Sequence, residues 1–339
     1  MPLRYNPLLA TILPAARQLG SLPATCLWAL LLLAAALYGS WLGEGGRALA
    51  GTLTALAFLL FVMLLCASRG VTEQLLARLG STSGILLGAT LFLAYLIYLL
   101  GTNTFALSRA AGVLALISVP LTLAVSAERA PAGAWQDFAI VTAVWVAVKF
   151  SPARWLWPYP GGKLSYAITV LLMVDVGIAV FLLRRRLPGV GYAVDWGARW
   201  EFYIVASFLA FACVAIPSGL ALHFIQFAPR WKSAALLPVT VLGILIFTAW
   251  PEEFLFRGLL QNVLSRKTNS DLTGWSAASV LFGLAHITNG HFPNWRYVLL
   301  ATVAGVFYGW TWRKTGSIFA SSIVHALVDT LWHFLFRTL

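Results

Sequence analysis

The chain is a near-continuous succession of apolar runs, each close to the roughly 20 residues a helix needs to cross a bilayer and each closed by a short polar connection. The runs fall near 22–43, 48–67, 83–101, 110–126, 135–150, 165–183, 201–224, 234–264, 273–288, 296–312 and 317–337. Lipid offers no partner to backbone N–H and C=O groups, and helices satisfy their own. The pattern therefore predicts an all-α, polytopic transmembrane helix bundle of about 11 spans. Composition agrees: 60% of the 339 residues are hydrophobic and 10% charged, too few polar groups to cover a soluble domain. The first run starts late and is long for a cleavable leader, so it reads as the first span.

The formal charge of +12 would suggest nucleic acid as the partner of a soluble protein. Here the Lys and Arg residues sit mostly between apolar runs, where they orient helices, and no nucleic-acid partner is expected. Leaving Arg257 aside, 13 Lys and Arg lie in one set of alternate connections and 9 in the other. The richer set, with Arg184, Arg185, Arg186, Arg266, Lys267, Arg313 and Lys314, is expected in the cytoplasm together with the N-terminus. The expected location is integral to a membrane, multi-pass, in the bacterial inner (cell) membrane. Arg184–Trp200 reads as a cytoplasmic surface loop. Cys26, Cys66 and Cys213 each lie within an apolar stretch and read as small core residues rather than a disulfide framework.

Glu128, Arg129 and Pro131 interrupt the runs at Ala127–Ala134. The break divides residues 1–130, an N-terminal transmembrane extension, from a core at 131–339. The core holds three short ionisable patterns: Glu252-Glu253-x-x-x-Arg257, Phe282-x-x-x-His286 and His325-x-x-x-Asp329. Counted from the flanking charges, all three fall towards the middle of their spans, where an uncompensated charge costs several kcal/mol. They are expected to meet in one wet cavity. Glu253 and Arg257, four apart, can pair on one helical face, which leaves Glu252 to exchange a proton with His286 nearby. His325 and Asp329 share a face that His333 extends by another turn. Pro251 is placed to kink the eighth helix. The bland alternative is a buried polar network that only fixes helix packing. Asp137, Asp175 and Glu201 read as packing or interfacial residues. HExxH, a phosphate-binding glycine loop, a cysteine metal motif and an internal repeat are all missing, which argues against a zincin and a transporter of paired halves.

PEEFLFRG at 251–258, FGLAH at 282–286 and HALVD at 325–329 resemble, in content and order, the marks of the CPBP family of intramembrane proteases. That family includes the Ras-converting type of CAAX prenyl endopeptidase and proteins grouped with bacteriocin immunity. The resemblance covers about Ala234 to Leu339. It implies a glutamate-dependent endopeptidase whose catalytic set is Glu252, Glu253, His286, His325 and Asp329. Glu252 with His286 would activate a water, and His325 with the residue at 329 would stabilise the oxyanion. Arg257 and Phe282 would give structural support. The implied cavity opens toward the cytoplasm, and the implied partners are the lipid bilayer and a membrane-anchored protein or peptide substrate. Where the family has Asn the amide donates a hydrogen bond, which an ionised Asp cannot do. Asp329 must then be protonated, orient His325, or help hold a metal. Glu252, His286, His325 and Asp329 could bind zinc, so the cofactor is left open. The competing expectation is a catalytically silent peptide-binding, immunity or scaffold protein of the same fold.

Overall fold

The computed structural model describes residues 24–40, 45–150, 152–159 and 162–339. It contains helices α1 (Ala24–Ser40), α2 (Gly46–Leu65), α3 (Arg69–Leu79), α4 (Thr82–Gly101), α5 (Leu107–Ser126), α6 (Trp135–Phe150) and α7 (Ala153–Leu156). There follow α8 (Leu164–Arg184), α9 (Trp200–Ala221), α10 (Ala234–Thr268), α11 (Asp271–Leu284), α12 (Trp295–Thr315) and α13 (Ile318–Leu335). Every one of the eleven apolar runs holds a helix, and the bundle is all-α and polytopic. Among the described residues, 7 helices, α2, α4, α5, α8, α9, α10 and α13, are long and apolar enough to cross a membrane by themselves. Helices α6 and α11 have 16 and 14 residues. Helix α12 is 21 residues long but includes Arg296, Arg313 and Lys314. The added elements, α3 and α7, lie between the runs, and α3 buries none of its residues.

The chain forms two compact units. One comprises the described residues up to Leu121 with Ala147–Arg184. Its centre is α8, 83% of whose apolar window is buried. Helices α2 and α4 approach backbone to backbone, since a Cβ on Gly51 would lie 3.0 Å from Gly101 Cα, a contact open only to small residues. Trp157 packs edge-on to Tyr95 and tilted against Tyr98, and the two tyrosine hydroxyls donate to the Leu156 and Tyr159 carbonyls. Asp175 is fully enclosed, and neither of its oxygens has a hydrogen-bond partner among the described residues.

The second unit is Thr122–Val146 with Arg185–Leu339. Its connections gather at two ends. At the first, Arg185 binds Asp137 at 2.8 Å and the carbonyls of Ala127, Ala130 and Pro131. Arg266 and Asn262 donate to the Pro188 carbonyl, Trp312 to that of Val190, and the Ile318 N–H to that of Gly191. One of the three arginines of the expected surface loop is thus interior: the Arg185 side chain is 6% exposed, because a buried carboxylate claims it. At the second end, strands β1 (Ile225–Phe227) and β2 (Phe336–Thr338) pair antiparallel with Gln226 opposite Arg337. The Leu339 N–H donates to Phe224, the Arg230 N–H to Phe334, and Arg296 to the His223 carbonyl.

Helices α9 to α13 run between these ends. Helix α10 passes through Pro251 unbroken. Instead of the expected kink, π-helical turns at Leu245–Ala249 and Phe254–Gln261 flank Trp250–Glu253, a widening that accommodates the missing N–H and recurs at functional sites. Helices α11 and α12 nearly touch: a Cβ on Gly283 would meet Thr302 Oγ1 at 2.0 Å and the Val298 carbonyl oxygen at 2.6 Å.

Candidate active site

The two adjacent glutamates of α10 have opposite surroundings. Glu253 is completely buried. Its Oε2 accepts from Arg257 Nε at 3.1 Å and from the Ser321 hydroxyl, and its Oε1 lies 3.0 Å from His325 Nδ1. With two donors already aimed at it, Glu253 is the acceptor, so Nδ1 carries the hydrogen. The Arg257 guanidinium, also without exposed surface, lies over the Phe282 ring at 4.9 Å and faces Tyr308 at 6.0 Å. These ring faces favour a cation that has left water.

Glu252 faces the other way. It lines a cavity of about 440 Å³ together with His286, His325, Asp329, Tyr297 and Tyr308. Its Oε2 has no hydrogen-bond partner among the described residues and lies 3.9 Å from His325 Nε2. His325 Nε2 also points at Asp329 Oδ2, 3.5 Å away. His325 is only 4% exposed, whereas the Asp329 side chain is 39% exposed. Tyr308 stacks on the His325 ring with centroids 4.5 Å apart, and Phe282 meets that ring edge-on. Across the cavity, His286 Nδ1 lies 2.7 Å from the Phe282 carbonyl oxygen. A carbonyl only accepts, so Nδ1 donates and Nε2 is the bare nitrogen of the neutral ring. Tyr297 covers that ring at 5.1 Å.

All three patterns therefore converge, with one change of role and one of depth. Glu253 does not line the cavity and reaches it only through His325. His286 is not at mid-span: α11 ends at Leu284 and His286 lies in the turn beyond. Glu252, 16 residues from Thr268 and 18 from Ala234, is near the midpoint of α10 as expected. Phe282 forms the wall between the two histidines. His333 lines the outer cavity, and its Nδ1 is 3.4 Å from Arg230. Ser321, Tyr297 and Tyr308 belong to the site and were not singled out from the sequence, while Asn289, expected in an interfacial loop past His286, lines the cavity. The first had a signal, since Ser321, His325, Asp329 and His333 are spaced four apart on one face of α13. Tyr297, Ala301, Ala304 and Tyr308 likewise line the cavity from one face of α12. As for a metal, no group of three or more His, Cys, Asp or Glu among the described residues is disposed to hold an ion. The set Glu252, His286, His325 and Asp329 does not fit zinc as it stands.

A helical, polytopic membrane protein with a polar cavity of paired carboxylates and histidines is the class these features define. Within it, residues 233–331 match the family model for the type II CAAX prenyl endopeptidase, Rce1-like. That stretch holds all three patterns and is a domain of this family, consistent with a CPBP intramembrane protease. The match points to a membrane-embedded endopeptidase acting on a membrane-embedded protein. No curated protein matches the chain, and no solved structure does.

Proposed function

We propose that the protein is an intramembrane endopeptidase that hydrolyses a peptide bond of a membrane-associated protein or peptide with a water activated by Glu252 and His286. The observation that carries this is the unpartnered Glu252 Oε2 on the cavity wall. The side chain is 32% exposed to the cavity, so the oxygen that no protein donor claims is ready to take a hydrogen bond from a water there. In the reaction, that water attacks the scissile carbonyl carbon and its proton passes to the Glu252–His286 pair. The carbonyl oxygen becomes an oxyanion facing His325. When the C–N bond breaks, the stored proton goes to the leaving amine.

His325 acts as an imidazolium on this reading. Nδ1–H is committed to Glu253, so Nε2 carries a hydrogen for the oxyanion only when the ring is fully protonated. Glu253, Arg257 and Ser321 hold the ring in place and are positioning residues. Asp329, with Oδ2 3.5 Å from His325 Nε2, supports that imidazolium. No step runs through a metal. The second unit is then the protease core, and the first unit, which takes in Ala147–Arg184 of the expected core, an additional membrane segment.

The test compares membrane peptidomes of cells producing the wild-type chain and Glu252→Gln, whose amide keeps the shape but cannot take the proton. Peptides that appear only with the wild type, at equal membrane levels of both proteins, are the expected result. Identical peptidomes would favour the silent peptide-binding or immunity protein instead.

A further inference from the structure

The register of β1 and β2 fixes which of their backbone groups are left over. The Leu339 N–H donates to the Phe224 carbonyl and the Ala228 N–H to that of Leu335. Bonded pairs in an antiparallel ladder recur at every second residue, so Gln226 and Arg337, midway between these two, are the bonded pair within the strands. Thr338, opposite Ile225, and Phe336, opposite Phe227, therefore turn their N–H and C=O groups away from β1. The Phe336 N–H is taken by the Trp332 carbonyl at the end of α13. The Phe336 C=O and the Thr338 N–H and C=O have no backbone partner among the described residues. An acceptor, a donor and an acceptor along one strand edge are a template for another strand. This edge lies on the way to the site, since Trp332, Phe336 and Thr338 line the same cavity as Glu252, His286 and His325. Phe227, whose backbone groups face the other side of the ribbon, does not line it.

We infer that the outer edge of β2 is a peptide-binding site, at which an extended segment adds to β1 and β2 as a third strand. On the endopeptidase reading, on which this rests, that segment is a part of the substrate remote from the bond that is cut. From His325 to Phe336 the chain advances 11 residues, or about 16 Å at helical rise. An extended chain covers that distance in about five residues. The substrate is then a polypeptide with about five extended residues between the scissile bond and the strand contact. Main-chain bonding leaves its sequence loosely specified, and Ile225 and Phe336 offer apolar contact to alternate side chains.

The edge is tested by binding, without turnover. Full-length Glu252→Gln protein in detergent micelles is incubated with a random-sequence decapeptide mixture, and the retained peptide is quantified. Thr338→Pro, added to this parent, deletes the outward N–H and spares the ladder, because proline is tolerated where a strand's N–H faces outward. The second arm offers the parent the same mixture with every peptide nitrogen methylated. Both changes are expected to lower retention by about fivefold or more, the scale of a lost hydrogen bond. Phe227→Pro, which deletes an outward N–H of β1, is expected to stay within about twofold of the parent, since that edge lies off the cavity. No retention by the parent, retention that either change leaves intact, or a loss with Phe227→Pro as large as with Thr338→Pro would overturn the inference. If Thr338→Pro fails to fold, the methylated mixture decides on the unaltered edge. A chain that binds peptides on this edge and cleaves none would refute the protease reading and leave the strand site standing.

Discussion

One peptide bond separates two carboxylates with different surroundings. Glu253 is held by Arg257, Ser321 and His325 and has no exposed surface, while Glu252 has an oxygen with no donor on a cavity wall. The proposed mechanism gives proton transfer to Glu252 with His286. His286→Ala should therefore lower the rate by roughly 100-fold or more, the scale of a general base, with membrane insertion unchanged. An initial-rate measurement in lipid vesicles that found less than a tenfold loss would take His286 out of the proton path. Asp329 is the second decisive residue. Carrying no proton in the reaction, it should be replaceable: Asp329→Asn is expected to keep activity within about tenfold of the wild type, because an amide occupies the same place and donates to the oxyanion at every pH. A strong chelator should leave both proteins active. Chelation that inactivates the wild type reversibly, together with an inactive Asn variant, would make Asp329 a metal ligand.

At the scale of elements, the site depends on how closely α11 approaches α12. Gly283 allows that approach, three residues before His286. Gly283→Ala would drive a methyl into Thr302 Oγ1 and the Val298 carbonyl, so the helices must separate. The expected cost is on the order of 1–3 kcal/mol, as for an overpacked core, with a lower Tm in detergent and a lower rate, since His286 moves with α11. An unchanged Tm would mean that the contact is softer than its geometry indicates. Helix existence was legible because apolar runs of span length permit little else. Helix ends were not. The run through α11 stays apolar to Ile287, but the chain turns back after Leu284, where Asn294 donates to the Ile287 and Asn289 carbonyls and caps α12 through the Tyr297 N–H. That side-chain economy puts His286 at a helix terminus, and hydropathy does not register it. The aromatic residues facing the histidines were illegible for a related reason: in an apolar helix, Tyr297 and Tyr308 look like packing until their partners are known.

At the scale of the whole molecule, the three patterns were readable as one site because ionisable side chains are costly in hydrocarbon and must share a refuge. Their distribution over α10, α11 and α13 and the turn after α11 is what the fold adds. The number of true crossings was less legible, since α6, α11 and α12 are helical without being long and apolar enough to span alone. The central claim is hydrolysis by a water that Glu252 activates. The most direct measurement is the initial rate at which purified protein in lipid vesicles cleaves a peptide identified in the peptidome comparison, wild type beside Glu252→Gln. The account predicts a fall of roughly 100-fold or more with equal incorporation into vesicles. Equal rates for the two proteins would contradict it.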